Sequence, residues 1–360
     1  MDVIYHMEQE QIGMARKISI QFLADQLGLS KYAVSRALSG KSGVSEATRA
    51  RVLELARTTG YYKQQNKLPS RSETRSTASF VLICMKQNHQ GNASYWQRVL
   101  SGLISGCSEQ GWHHLILAPS ETEIGRAASP EEAIAPHLDW AGCIGIIVMG
   151  DFSYPVLHTL ENTGKPLVLV DHKDPMVKCD KVVHDNLEAG STLVRHMLSL
   201  GMRHIGFIGD NGRTTSFMER QLGVRSGFEA YAEPGVRLSE FNLPYMEGGP
   251  GWLKEMWGRY EALPPEERPD SWICANDDMA LGWMHRLQET GISLPGDLRI
   301  AGIDNIKAAA ESSPPLTTVH LHKEELGQRA VEVLKRRIDR PGAPQETLSL
   351  SADLIMRLST

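Results

Sequence analysis

Apolar residues recur at helical spacing early in the chain and in short continuous runs later, and this change of period divides it. Ile20, Leu23, Ala24 and Leu27 share one helical face, with Ser19 placed to cap it. Gly28 interrupts the pattern where a tight turn between helices needs a residue tolerant of positive φ. Ser30 can cap a second helix, Lys31 to Leu38, that buries Val34, Ala37 and Leu38. A third segment opens at Ser45-Glu46 and is expected to bury Ala47, Val52, Leu53, Leu55 and Ala56. Lys63 to Ala78 is polar, contains Pro69, and reads as a linker.

From Ser79 the period shortens. Phe80–Cys84, His114–Ala118, Ile144–Met149 and Pro166–Val170 read as buried strands, and Trp96–Cys107 as a helix with Val99, Leu100, Leu103 and Ile104 on one face. A second run begins near Val182. It predicts helices over 189–200, 223–231 and 279–290, and strands over 204–209, 271–275 and 298–303. Short apolar strands alternating with helices imply parallel sheets covered on both faces. The expected class is an α/β, two-lobed doubly wound core behind an N-terminal all-α helix-turn-helix domain. The boundaries are 1–16 tail, 17–62 head, 63–78 linker and 79–360 body.

Chemistry enters on the outward face of the second helix. Lys31, Tyr32, Ser35 and Arg36 place donors and an aromatic near a helix N-terminus, from which side chains reach base edges in a major groove. An ordinary solvated face carries the same residue types, so charge helps to decide. From Ala15 to Arg71 eleven cations face three carboxylates, a net of +8, while the whole chain carries −5, which leaves about −13 for the rest. A basic head on an acidic body is the footprint of a protein that sets one end on phosphates.

Ala24, Gly28, Leu29-Ser30, Val34-Ser35-Arg36, Val44-Ser45, Thr48-Arg49, Val52 and Gly60-Tyr61 together resemble the head of the LacI/GalR family of bacterial transcription regulators. The resemblance continues to the C-terminus. It implies DNA contacts from Ser19, Ser30, Lys31, Tyr32, Ser35, Arg36 and Thr48, and a linker leucine wedged into the minor groove. Leu68 is the nearest leucine. It lies two residues early and precedes Pro69, and Lys63-Gln64 stand where the family has Pro-Asn.

For the body the resemblance implies a periplasmic-binding-protein-like fold with an effector between the lobes. Residues near 312–340 are then expected to return to the first lobe, and the last strand, near 348–354, to join the second. The family's Ser-x-x-x-Arg-x-x-Gly pattern falls on Ser216, Arg220 and Gly223, and its amide and carboxylate on Asn276 and Asp304. A guanidinium fork, an amide and a carboxylate suit vicinal hydroxyls. Asp185 is expected to face the cleft, and Asp277 or Asp278 only to cap a helix. Tyr95, Trp96 and Trp252 are candidates for a stacking face, which favours a sugar or glycoside over a nucleobase. Burial in the core is about as good a reading for each aromatic alone.

The remaining signals exclude more than they assign. Cys84, Cys107, Cys143, Cys179 and Cys274 have no C-x-x-C spacing and read as buried thiols in a reducing cytoplasm. His113-His114 and the His320/His322 pair lack partners at metal-ligand spacing, so no metal or cofactor is expected. There is no membrane-length apolar run, no leader-like N-terminus in this sequence, and no phosphate loop, nucleophile elbow or dinucleotide fingerprint. The expectation is a homodimeric, non-enzymatic regulator of carbohydrate-related genes, binding double-stranded operator DNA and a small effector. A corepressor-dependent or nucleobase-responsive regulator and a ligand-independent architectural DNA binder are the alternatives.

Overall fold

The computed structural model describes residues 20–38, 44–58, 79–86, 95–119, 129–210, 212–245, 249 and 251–360. They fall into two compact units divided between Ser76 and Thr77. Ser19, Leu68 and the expected tail and linker lie outside the described residues.

In the head, α1 (Ile20–Leu27), α2 (Lys31–Leu38) and α3 (Glu46–Thr58) close on Leu23, Ala24, Val34, Ala37, Val52 and Ala56. Gly28 takes φ +64° in the turn, as its position required. Ser30 accepts from Ala33 N at 3.1 Å and Ser45 from Thr48 N at 3.2 Å, so both caps form. Ala47 and Leu53 are exposed, against expectation. The face fixed by Val52 and Ala56, one turn apart, points away from Ala47 and leaves Leu53 at its margin.

The first lobe is built from β1 (Phe80–Met85), α4 (Tyr95–Glu109), β2 (His113–Leu117), α5 (Pro130–Ile134), β3 (Cys143–Met149), α6 (Tyr154–Glu161), β4 (Leu167–Val170) and β5 (Asp180–His184). The second holds α7 (Asn186–Ser199), β6 (His204–Gly209), α8 (Thr215–Tyr231), β7 (Arg237–Asn242), α9 (Gly251–Glu261), β8 (Ser271–Cys274), α10 (Asp277–Glu289), β9 (Arg299–Asp304), α11 (Lys307–Glu311) and β10 (Thr317–His320). The chain returns as α12 (Lys323–Asp339) and β11 (Thr347–Leu350) and ends on β12 (Asp353–Ile355). The sheet orders are β11-β5-β4-β3-β1-β2 and β12-β10-β9-β8-β6-β7. Only β12, antiparallel to β10, breaks the parallel pairing of the described strands.

Period-2 geometry explains why the first-lobe strands read as unbroken apolar runs. Val81, Ile83 and Met85 point to one face, against Val99 and Leu103 of α4 and Leu326 and Leu334 of α12. Phe80, Leu82 and Cys84 point to the other, against Val156, Leu157 and Leu160 of α6. The return crossing comes later than expected. Residues 317–320 stay in the second sheet as β10, and α12 alone carries the chain back. The last expected strand is two strands: β11 joins the first sheet and β12 the second. Likewise, β5 near Val182 closes the first lobe rather than opening the second.

Candidate functional site

On the head, Lys31, Tyr32 and Ser35 are exposed on α2, with Tyr32 at 68%. Arg36, one turn after Tyr32, donates to the Tyr32 hydroxyl and lies 5.2 Å from its ring centroid. Thr48 touches Ser45 Oγ at 2.8 Å, so its hydroxyl serves the start of α3.

In the body, two glycines, Gly190 of α7 and Gly223 of α8, fix the site. A Cβ at Gly190 would lie 2.2 Å from Arg220 O, and one at Gly223 2.2 Å from Leu187 O. So α7 and α8 meet backbone to backbone, which sets Asn186 beside Arg220. Arg220 donates from Nε to Asn186 Oδ1 at 3.0 Å, from Nη1 to Ala275 O at 2.7 Å and from Nη2 to Asp304 Oδ1 at 3.0 Å. The fork expected to reach ligand is thus bound within its own lobe.

The first lobe supplies the facing wall. Tyr95 donates to Asp171 Oδ2 at 3.0 Å and lies 3.3 Å from His184 Nδ1. Lys323, fully buried at the return crossing, donates to Leu321 O at 3.1 Å and to Asp304 O, with its ammonium 5.6 Å from the Tyr95 ring centroid. Across the lobes, Lys173 pairs with Glu219 at 2.6 Å. Asp171, Asp304 and Asn305 take φ +54°, +121° and +52°, the only positive φ values at non-glycine described residues. Such backbone strain gathers at binding sites.

The electrostatics follow from burial. Burial pushes the Asp171 carboxyl up to about 6, although Arg220 and the Tyr95 hydroxyl oppose it. Burial also takes His184 down to about 3 and Lys323 below its ordinary value. For Arg220 burial works against the charge, yet Asp304, Tyr95 and Asp171 together hold its pKa above the usual value. Asp171 Oδ1 is buried without a hydrogen-bond partner.

Tyr95, Arg220 and Asp304 therefore come together, while the other expected residues take different places. Asn276, not Asp277, caps α10, accepting from Met279 N at 2.9 Å. Asp277 is fully buried and accepts from Ile306 N at 2.9 Å and Thr318 Oγ1 at 2.5 Å. Asp185 caps α7 through Glu188 N at 2.9 Å, and its neighbour Asn186 makes the contact to Arg220. Ser216 meets Thr214 Oγ1 at 2.9 Å in the first turn of α8. Trp96 packs edge-on to Tyr95, with centroids 5.0 Å apart. Trp252 is a core residue, 7% exposed and set against Tyr245 and Gly282, because α9 turns its ring inward. Asp171, His184, Asn186 and Lys323 were not singled out. His184 ends β5 as Asp304 ends β9, and Asp171 directly follows β4, so the same rule of polar residues at strand ends reaches them. Lys323 has no sequence signal, since a lysine in a first helical turn is ordinarily solvated.

Residues 19–64 match the model of bacterial regulatory proteins of the lacI family, and residues 194–360 match a periplasmic binding protein-like domain. The chain belongs to the lacI family. This lacI-family chain is 26% identical over 356 residues to the HTH-type transcriptional repressor PurR of Aliivibrio fischeri (strain MJ11), covering 95% of this chain and 98% of that one. It is 27% identical over 354 residues to the PurR of Aliivibrio salmonicida (strain LFI1238), with the same coverage. The fold is shared with a CelR–cellobiose complex (TM-score 0.64, 22% identity, covering 95% of this chain and 100% of that one). It is shared as well with the lac repressor dimer bound to operator and the anti-inducer ONPF (TM-score 0.65, 19% identity, 96% and 99%). The chain is thus a DNA-binding transcriptional regulator with a ligand-binding body. No helix of the described residues is long and apolar enough to cross a membrane.

Proposed function

We propose that this regulator is a homodimeric repressor whose operator affinity is set by a polyol ligand held between Asp171 and Asp304. The observation that carries the reading is the buried constellation at the lobe junction. Asp171 Oδ1 lacks a partner there, opposite the Arg220–Asp304 pair. A buried carboxylate oxygen without a donor is costly, and a ligand hydroxyl supplies the donor. Two structural neighbours hold cellobiose and ribose. Stacking on Trp252 no longer supports a sugar over a nucleobase, so the preference rests on the carboxylates. A ligand that favours one arrangement of the lobes shifts their populations, and linkage then changes affinity for a pseudo-palindromic operator.

The test is a thermal-shift panel of pentoses, hexoses, glycosides and nucleobases on the full chain, followed by DNA titration with any stabilising compound. A polyol at 100 times its dissociation constant adds about 2.7 kcal/mol. Stabilisation by nucleobases alone would sink the polyol reading. Stabilisation by no compound would favour the architectural alternative.

A further inference from the structure

A cavity of about 490 Å³ opens beside the buried constellation, lined from the first lobe by Lys86, Asp151 and His172 and from the second by Arg213, Thr214 and Thr215. Its size suits a small ligand. From these residues we infer that the effector carries an anionic group, a phosphate or a carboxylate, which docks here between Lys86 and Arg213. The inference rests on the inter-lobe reading above and adds the charge of the ligand to it.

Four observations converge. Lys86 and Arg213 approach from opposite lobes, and among the described lining residues Asp151 is the single carboxylate. Asp151 lies 3.3 Å from Lys86 Nζ, and the ammonium lies 5.7 Å from the Phe152 ring centroid, so the lysine is held at the wall. The Arg213 guanidinium lies 4.7 Å from the Tyr245 centroid and 5.1 Å from that of Phe217, so the two rings hold this cation at the second-lobe wall. Both ring nitrogens of His172 are buried without hydrogen-bond partners, and an oxyanion gives its N–H an acceptor.

The amino end of α8 adds to this. Thr214 caps the 17-residue helix, and the cavity meets it at Thr214 and Thr215, where backbone amides and the helix dipole favour negative charge. The anionic end and the polyol end fit one molecule. His172 follows Asp171 directly, and Thr215 precedes Arg220 by five residues, about 7.5 Å along the axis.

The experiment compares the full chain with Lys86→Gln, Arg213→Gln and the double variant. Melting temperature is read in glucose 6-phosphate, glucuronate, glucose and inorganic phosphate, each against chloride of matched ionic strength. The wild type is expected to rise with inorganic phosphate and further with an anionic sugar, and the double variant to need at least tenfold more of either. A phosphate shift no larger than that of chloride overturns the inference, as does a shift that survives the double substitution. Glucose matching its anionic partners also overturns it, while leaving the polyol reading intact. A phosphate shift lost in the variants, with the sugar body adding nothing, supports the anion site and sinks the polyol reading instead.

Discussion

Arg220 Nη2 stands 3.0 Å from Asp304 Oδ1, with the two side chains 3% and 13% exposed. Removing one member of a buried pair leaves the other charge uncompensated, at a cost of about 3–5 kcal/mol. Arg220→Ala is therefore expected to lower the melting temperature of the body and to abolish any ligand-induced shift, while DNA binding below the melting range persists. Calorimetry and a DNA titration on the same sample check this. An unchanged ligand shift would remove Arg220 from the site.

Asn276 and Asp277 are neighbours with unequal tasks. Asn276→Ala removes one cap and is expected to cost about 1 kcal/mol. Asp277→Ala strips partners from Ile306 N and Thr318 Oγ1, each loss costing about 1–3 kcal/mol, so it should destabilise more. Urea unfolding of both variants gives the order, and equal costs would contradict it.

Asp171 supplies a pH test. Its folded pKa of about 6 lies above the ordinary 3.8, so the folded state holds this proton more tightly. Its contribution to stability is fully present below the ordinary value and is lost as pH rises through the folded one. Asp171→Asn lacks this loss. Its melting temperature relative to wild type should climb between pH 4 and 7, by about 2 °C or more, and level off above. A constant difference across that range would mean that the carboxyl is not held as described.

Tyr32 and Arg36 form one exposed unit on α2. Arg36→Ala is expected to cost about 1–3 kcal/mol of operator binding, the value of one base-reading pair. Tyr32→Phe keeps the ring under the guanidinium and loses the hydroxyl, so its cost should be smaller. Ligand binding by the body should be unchanged in both. Full operator affinity in Arg36→Ala would move the reading face elsewhere.

Most of the fold was legible because the two periods are so different: Leu23, Ala24, Val34 and Ala37 repeat at helical spacing, and Phe80–Met85 is apolar on both faces. β7 escaped because an edge strand, RLSEFN, can be polar over most of its length. Arg220 and Asp304 were reached through the family resemblance, because an arginine in a helix or an aspartate after a strand carries no role by itself. Lys323 was not, since only the return crossing after β10 buries it. Asp277, expected as a helix cap, instead holds Ile306 and Thr318, contacts far apart in sequence that no local pattern announces. Trp252 was placed at the site because an aromatic in a glycine-rich stretch fits a site and a core equally well until packing decides.

A cationic head that touches nucleic acid and a body that binds ligand divide the work of this chain. The most direct measurement is the affinity of the full chain for mixed-sequence duplex DNA as a function of salt. A steep linear fall of log K with log salt is predicted, as counterions leave the phosphates, and charge-removing substitutions on α2 should flatten it. Binding that is absent, or indifferent to salt, would contradict the account however well the body binds a sugar.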